Sequence, residues 1–239
     1  MIPIFVGYDS REAACFAVFN QSAIDSTSVP FYVSPLHGPL LNGFDGQKDG
    51  TNRFIYSRYL VPSLMNYEGW ALYVDSDILC RDDLKKLWGL RDERMAVQVV
   101  KHSYKTTEPK KFVNTPIEAE NQDYPRKNWS SVILWNCGHI AHKGLTPDFV
   151  ASKPGSYLHR FKWVPDDEIG EIPELWNHLV GEYPRNESAA LAHYTLGAPG
   201  FSEYALSEFH QEWHNTLLKA VNMVGEDPPR MVKRAKGLA

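Results

Sequence analysis

The sequence has little cysteine, no large excess of either charge and no long hydrophobic run. Its three cysteines, Cys15, Cys80 and Cys137, lie far apart without metal-ligand spacing, which predicts buried thiols in a reducing compartment. The 25 basic and 29 acidic side chains leave a net charge of −4, which excludes a general electrostatic surface for nucleic acid. No stretch reaches the roughly 18 apolar residues of a membrane span, and residues 1–9 lack the features of a secretion signal. We therefore expect a soluble cytoplasmic protein.

What is present is typical of a globular protein. Of the 239 residues, 43% are hydrophobic and 23% are charged, which is enough apolar surface for a core. We predict a single domain over residues 1–222, with halves at 1–100 and 101–222, followed by a tail at 223–239. The tail is basic, and we expect at most a weak membrane-surface contact from it.

Apolar runs alternate with helical patterns along the chain. We predict strands over residues 2–6, 31–33, 70–74, 95–100 and 131–135, and helices over 9–24, 52–65, 82–88 and 206–217. Asp9 and Glu12 have the spacing of a capping box at the start of the first helix. The alternation predicts an α/β fold with a Rossmann-like, mainly parallel sheet flanked by helices. Residues 101–128 show no periodicity, so we expect a mobile loop on the substrate side.

Two aspartates follow the strand predicted over residues 70–74. Asp75 and Asp77 are two positions apart, so an extended backbone would point both carboxylates to the same side. A pair of carboxylates suits a hard cation, and an imidazole together with phosphate oxygens of a substrate would complete its ligand set. An Asp-x-Asp pair on a protein surface is also common without any ion.

Nine histidines are available to complete such a site. His210 and His214 have helical spacing, but Glu212 does not follow the first histidine directly, so a solvated helix face is the better interpretation. His193 lies instead in a predicted loop over residues 192–201 that contains Gly197, Pro199 and Gly200, where backbone groups approach a phosphate easily. An imidazole hydrogen-bonded in a turn is its structural alternative.

Several segments then occur in a recognisable order. They are residues 53–64, 72–79, 83–84, 87–88, 134–138, 166–168, 176–177 and the loop after His193. This order, kept over about four fifths of the chain, resembles the core of family 8 glycosyltransferases. The resemblance implies an A-type glycosyltransferase fold and transfer of a sugar from a UDP-sugar donor with retention of configuration. It also implies Mn²⁺ or Mg²⁺ held by Asp75, Asp77 and His193, and it leaves the acceptor (saccharide, lipid-linked or protein) open.

The resemblance further implies contacts to the nucleotide and the donor sugar. The residues concerned are Val6, Gly7, Tyr8, Asp9, Arg58, Ser76, Asn136, Cys137 and Gly197. Asp9 is equally suited to cap a helix. Arg58 is equally suited to form a salt bridge with Asp75 and Asp77. A divalent cation is chemically reasonable here, because loss of UDP leaves negative charge on the diphosphate that a Lewis acid stabilises.

The sequence departs from the family pattern at two places. Asp166 and Asp167 stand where the family has an Asp-Gln pair beside the anomeric carbon, and a shift of one residue would place Glu168 there instead. A carboxylate there is suited to stabilise an oxocarbenium-like centre or to form a covalent adduct. Residues 197–201 lack the lysine that the family has before Pro-Trp. The diphosphate would then depend on backbone N–H groups, the metal, Arg58 or a basic residue from 101–128.

Two other functions are compatible with some of these residues. A haloacid-dehalogenase-type phosphatase also has an apolar strand that ends in Asp-x-Asp, but Leu79 stands where that class has threonine or valine. A catalytically silent nucleotide-sugar-binding module would explain the absent lysine. It would not explain why both aspartates and His193 are present.

Overall fold

The computed structural model describes residues 1–38, 41, 44 and 54–222. The strands are β1 (Ile2–Gly7), β2 (Phe31–Leu36), β3 (Trp70–Val74), β4 (Ile78–Cys80), β5 (Val97–Val99), β6 (Lys110–Lys111), β7 (Ala119–Glu120), β8 (Val132–Asn136), β9 (Ile169–Glu171), β10 (His178–Leu179) and β11 (Leu191–His193). The α-helices are α1 (Ala13–Ser26), α2 (Val61–Leu64), α3 (Leu84–Trp88), α4 (Pro147–Ser152), α5 (Gly155–Leu158) and α6 (His210–Val221). The tail at 223–239 lies outside the described residues.

A six-stranded sheet forms the centre of the protein, in the order β2-β1-β3-β8-β5-β9. Strands β1, β2 and β3 are parallel to one another, as are β5 and β9, whereas β8 is antiparallel to both of its neighbours. The predicted α/β fold with a mainly parallel sheet is therefore confirmed. Two smaller sheets, β10-β11-β4 and the β6-β7 hairpin, lie beside it.

Strand β3 is buried on both faces, which explains its continuous apolar sequence. Ala71 and Tyr73 belong to the core on one face, while Leu72 and Val74 belong to the core on the other. The strand ends at Val74, as the sequence predicts, and the polar residues begin where the backbone leaves the sheet.

The first helix starts differently from the predicted capping box. Asp9 accepts a hydrogen bond from the backbone N–H of Arg11 and begins a short 3-10 turn over Ser10–Glu12, which leads into α1. Glu12 does not close the box, since its buried carboxylate oxygens have no hydrogen-bond partner among the described residues. Its side chain lies among other acidic groups instead. Burial, with Asp77 and Asp9 next in effect, raises the pKa of Glu12 to about 9.

The helix predicted over residues 52–65 is shorter than expected, and its first two residues lie outside the described part. The chain forms a 3-10 turn over Ser57–Leu60, followed by the single turn of α2. Pro62 occupies the first turn of α2, where its missing N–H costs no helical hydrogen bond. This arrangement buries Arg58 inside the protein.

The segment 101–128 contains the β6-β7 hairpin, in which Lys110 pairs with Glu120. The mobility of this segment stays a prediction.

The C-terminal helix starts later than predicted. Phe209 and Trp213 pack into a core, as the predicted pattern requires. Leu206 is 84% exposed and precedes α6, so the predicted start of that helix is wrong. Within the described residues, no helix is long and apolar enough to cross a membrane.

Candidate active site

Asp75, Asp77 and His193 converge in space. Their ligand atoms all lie within 4.8 Å of one another. The sheet explains this meeting, because the two aspartates lie between β3 and β4, and β4 pairs with β11 so that Ile78 is opposite His193. Nε2 of His193 lies 3.4 Å from Oδ1 of Asp77. The structure therefore brings together the three residues that the sequence predicts as metal ligands.

The imidazole of His193 has a fixed orientation. Its Nδ1 lies 2.9 Å from Oδ1 of Asn177, an oxygen that only accepts hydrogen bonds. Nδ1 therefore carries the proton, and the lone pair of Nε2 faces the carboxylate of Asp77. Asn177 is held in turn, since its Nδ2 donates to the carbonyl oxygen of Asn128 at 3.1 Å.

Asp75 is held by two neighbours. Nη1 of Arg58 lies 3.1 Å from Oδ1 of Asp75, and the hydroxyl of Tyr73 donates a hydrogen bond to the same oxygen. Burial raises the pKa of Asp75, while the charge of Arg58 lowers it. The same Nη1 of Arg58 also donates to the carbonyl oxygen of Ser130 at 2.7 Å, so much of its donor capacity is used within the protein.

The donor set fits a divalent cation. Oδ1 of Asp77 and Oγ of Ser76 are buried without a hydrogen-bond partner in the described part of the chain. Buried polar atoms are nearly always satisfied, so an unpartnered carboxylate oxygen beside a second carboxylate and an imidazole points to an absent ligand. Carboxylate oxygens together with one imidazole suit Mn²⁺ or Mg²⁺ better than a soft, thiolate-binding metal.

A cavity of about 100 Å³ opens on this cluster. Its lining consists of Ile55, Arg58, Asp75, Asp77, Lys111, Phe112, Tyr124, Asn128, Ser130, Ser131, His159, His193 and Thr195. Two carboxylates, two imidazoles and two cationic side chains therefore surround the same space.

The end of β1 reaches the same edge of the sheet. Val6 is paired in parallel with Val74, so Gly7, which ends β1, and the next residues Tyr8 and Asp9 lie near the point where Asp75 follows β3. A Cβ atom on Gly7 would lie 2.3 Å from the ring of Phe54, so only glycine fits there. The ring of Tyr8 contacts the rings of Phe16 and His37 edge to face.

Asn136 and Cys137 lie at the opposite end of the sheet, which corrects their expected place beside the other predicted site residues. Asn136 pairs with Trp70, the first residue of β3, because β8 runs antiparallel to β3. Its amide donates to the carbonyl oxygen of Met95 at 3.1 Å, which is a structural contact.

The antiparallel direction of β8 brings Asn128, which precedes this strand, to the cavity instead. Sequence reasoning missed Asn128, although Asn-Trp-Ser-Ser before an apolar run was a visible signal.

The acidic residues Asp166, Asp167 and Glu168 form a 3-10 turn before β9 and do not line the cavity. Asp166 is 80% exposed at its side chain and pairs with Arg126, whose Nη2 lies 2.6 Å from Oδ1 of Asp166. Arg126 is two residues before Asn128, so this ion pair connects the acidic turn to the segment that lines the cavity.

Gly197 adopts a φ of +153° in the loop after β11, and a Cβ there would meet the ring of Tyr204 at 2.3 Å. Its backbone N–H donates to the carbonyl oxygen of Tyr194 at 2.9 Å, and the N–H of Phe201 donates to Ala198. These two donors are therefore used within the loop. The expectation that backbone N–H groups of this loop bind a diphosphate receives no support from them.

Solved structures share this fold. The chain aligns with the apo structure of WbbM, a bifunctional glycosyltransferase, with a TM-score of 0.64 and 13% identity over 98% of this chain. It spans 51% of the WbbM chain, about half of that protein's length. It also aligns with the galactosyltransferase LgtC in complex with donor and acceptor sugar analogs, with a TM-score of 0.55 and 14% identity over 94% of this chain and 98% of that one. The fold is the A-type glycosyltransferase fold.

Sequence comparison identifies the family. The model of Glycosyl transferase family 8 matches residues 14–139, which include Arg58, Asp75, Asp77 and Asn128. Protein CDI of Arabidopsis thaliana is 39% identical over 226 residues, which cover 90% of this chain and 85% of that protein. The chain belongs to glycosyl transferase family 8, and its general role is glycosyl transfer.

Proposed function

We propose that the protein is a retaining glycosyltransferase that moves a sugar from a UDP-sugar to an acceptor hydroxyl, with a divalent cation at Asp75, Asp77 and His193. The observation that carries this proposal is the meeting of these three side chains within 4.8 Å at the sheet edge where β1 and β3 end. In open α/β sheets, ligands bind at the carboxyl ends of parallel strands.

The cation, Mn²⁺ or Mg²⁺, would act as a Lewis acid on the diphosphate and stabilise the charge of the leaving UDP. The chain's own residues prepare the site for it. Arg58 and Tyr73 hold the carboxylate of Asp75, and Asn177 turns the Nε2 lone pair of His193 toward Asp77.

The nucleoside end of the donor would lie where β1 leaves the sheet. Val6, Gly7, Tyr8 and Asp9 are there, and the ring of Tyr8 offers an aromatic surface for a base. Asp9 is largely committed within the protein, because its carboxylate accepts from the backbone and side chain of Arg11. We therefore assign the nucleoside contacts to Tyr8 and the backbone beside it.

The sugar would lie beyond the diphosphate, near Asn128 and Ser131 on the cavity wall. Retention of configuration and a carboxylate opposite the anomeric carbon are supported by the family resemblance. Among the acidic residues 166–168, we keep Asp167 as the candidate for that carboxylate, since Asp166 is paired with Arg126.

A thermal-shift experiment with Mn²⁺ and a panel of nucleotides tests this function, because a ligand that binds only the native state raises the melting temperature. We expect UDP with Mn²⁺ to raise Tm more than UDP alone, and other nucleoside diphosphates to have little effect. Indifference to every nucleotide would overturn the proposal. UDP release measured across common UDP-sugars then identifies the donor. Binding of UDP-sugars without any turnover would favour a silent binding module instead.

A further inference from the structure

The β6-β7 hairpin is hydrogen-bonded to the segment that follows His193. The backbone N–H of Phe112 donates to the carbonyl oxygen of Leu196 at 2.6 Å, and that of Val113 donates to the hydroxyl of Tyr204 at 3.0 Å. The rings of Phe112 and Phe201 also meet edge to face. The hairpin therefore has a defined place beside the candidate metal ligands.

The two lysines of β6 have different surroundings, as expected for neighbours on a strand. Lys110 is 56% exposed at its side chain, and its Nζ lies 2.6 Å from Oε1 of Glu118. Lys111 instead lines the cavity together with Asp75, Asp77 and His193. In the described part of the chain, the ammonium of Lys111 forms no hydrogen bond or salt bridge, and its Nζ lies 5.5 Å from the centroid of the Phe112 ring.

The electrostatic surroundings of Lys111 are acidic. Burial lowers the pKa of Lys111 overall, and the carboxylates of Asp77 and Asp75 partly offset this effect because they attract the ammonium. The other cation on the cavity wall is Arg58, which already contacts Asp75 and the carbonyl oxygen of Ser130. Unlike Arg58, Lys111 thus has donors that form no hydrogen bond or ion pair with the described residues.

We propose that Lys111 binds the diphosphate of the nucleotide-sugar donor and stabilises the departing UDP, in place of the basic residue that residues 197–201 lack. This inference rests on the proposed function. When the bond between the anomeric carbon and the β-phosphate oxygen breaks, its electron pair stays on that oxygen. The acceptor oxygen forms the new bond to carbon, and its proton passes to the departing phosphate. An ammonium beside the diphosphate stabilises the charge that develops there.

The test compares Lys111→Met and Lys111→Arg with Lys110→Met. The last variant is a matched control, because it removes a lysine from the same strand that has an exposed partner. Dissociation constants for UDP, UMP and uridine are measured by calorimetry with saturating Mn²⁺, and the affinity for Mn²⁺ itself is measured without nucleotide. Lys111→Gln replaces Lys111→Met if the latter does not fold.

We expect Lys111→Met to weaken UDP binding about 10–100-fold while uridine binding stays within about twofold, since only UDP carries the diphosphate. Lys111→Arg should recover much of the loss, and Lys110→Met should resemble the wild type. If Lys111 merely neutralises the acidic cluster, Lys111→Met will bind Mn²⁺ more tightly and keep its UDP affinity, which overturns the inference. An equal loss for uridine and UDP would also overturn it. A wild-type protein that binds no UDP would instead overturn the proposed function on which the inference rests.

Discussion

Nδ1 of His193 lies 2.9 Å from Oδ1 of Asn177, and both side chains are buried. This hydrogen bond selects one tautomer of the imidazole and directs Nε2 toward Asp77. Partners of this kind, which contact a metal ligand but not the metal, orient the ligand and increase its basicity.

Replacing Asn177 with alanine should therefore weaken Mn²⁺ binding by about 10–100-fold, because the imidazole loses its fixed orientation. Calorimetric titration with Mn²⁺ measures the effect directly. Circular dichroism and Tm show whether the variant is still folded. A folded variant with wild-type Mn²⁺ affinity would contradict this role of Asn177.

The sequence predicts that Asp75, Asp77 and His193 come together, and part of the reason is local. An apolar strand that ends at Val74 sets the positions of Asp75 and Asp77, and the Gly- and Pro-rich loop singles out His193. Their meeting depends on the pairing of β4 with β11, which is a nonlocal feature that the family resemblance supplied.

Other site residues could not be predicted from local patterns. The family resemblance implies a donor-sugar contact for Asn136, but β8 is antiparallel to β3, so Asn136 lies at the other end of the sheet. An apolar run does not reveal the direction of its strand. Lys111 lies in a segment without periodicity, and its position depends on backbone hydrogen bonds to Leu196 and the Tyr204 side chain. Such contacts leave no signal in the spacing of residues.

The strand direction leads to a prediction with a matched pair of variants. Asn128→Ala should lower kcat/KM about tenfold or more, because Asn128 lies on the cavity wall. Asn136→Ala should keep kcat/KM within about twofold. Its amide donates to Met95 and Glu93 carbonyl oxygens, so its loss should cost about 1–2 kcal/mol in the free energy of unfolding. UDP release and urea denaturation measure the two effects, and a larger kcat/KM loss in Asn136→Ala would reverse our assignment.

The stability of the protein should fall in mild acid because of buried neutral histidines. His142 is completely buried, with Nε2 lying 3.0 Å from the carbonyl oxygen of Ala96, and burial lowers the pKa of His142 to about 4. In the unfolded chain this imidazole takes up a proton near pH ~6.5. The unfolded state therefore binds more protons, and stability that is present above pH ~6.5 is lost as the pH falls toward 4.

At pH ~5 this difference amounts to about 2 kcal/mol for His142. His142→Gln, which keeps a donor for the Ala96 carbonyl, should show a smaller loss of unfolding free energy between pH ~8 and pH ~5 than the wild type. His214→Gln, on the half-buried side of α6, is the control variant. Urea denaturation at both pH values provides the comparison, and identical pH dependences for His142→Gln and wild type would refute the argument.

The acidic turn before β9 is the part of the proposed mechanism that most needs a kinetic test. Asp166 is held by Arg126, whereas Asp167 is exposed and has no ion pair within the described residues. If a carboxylate stabilises the oxocarbenium-like centre, Asp167→Asn should lower kcat by about two orders of magnitude or more while UDP binds with Mn²⁺ as before. Asp166→Asn removes an exposed ion pair and should change kcat by less than about threefold.

Single-turnover rates and UDP affinities are measured for both variants and for Glu168→Gln. An unimpaired Asp167→Asn together with an inactive Glu168→Gln would move the catalytic carboxylate to Glu168, and full activity in all three would remove the turn from the reaction.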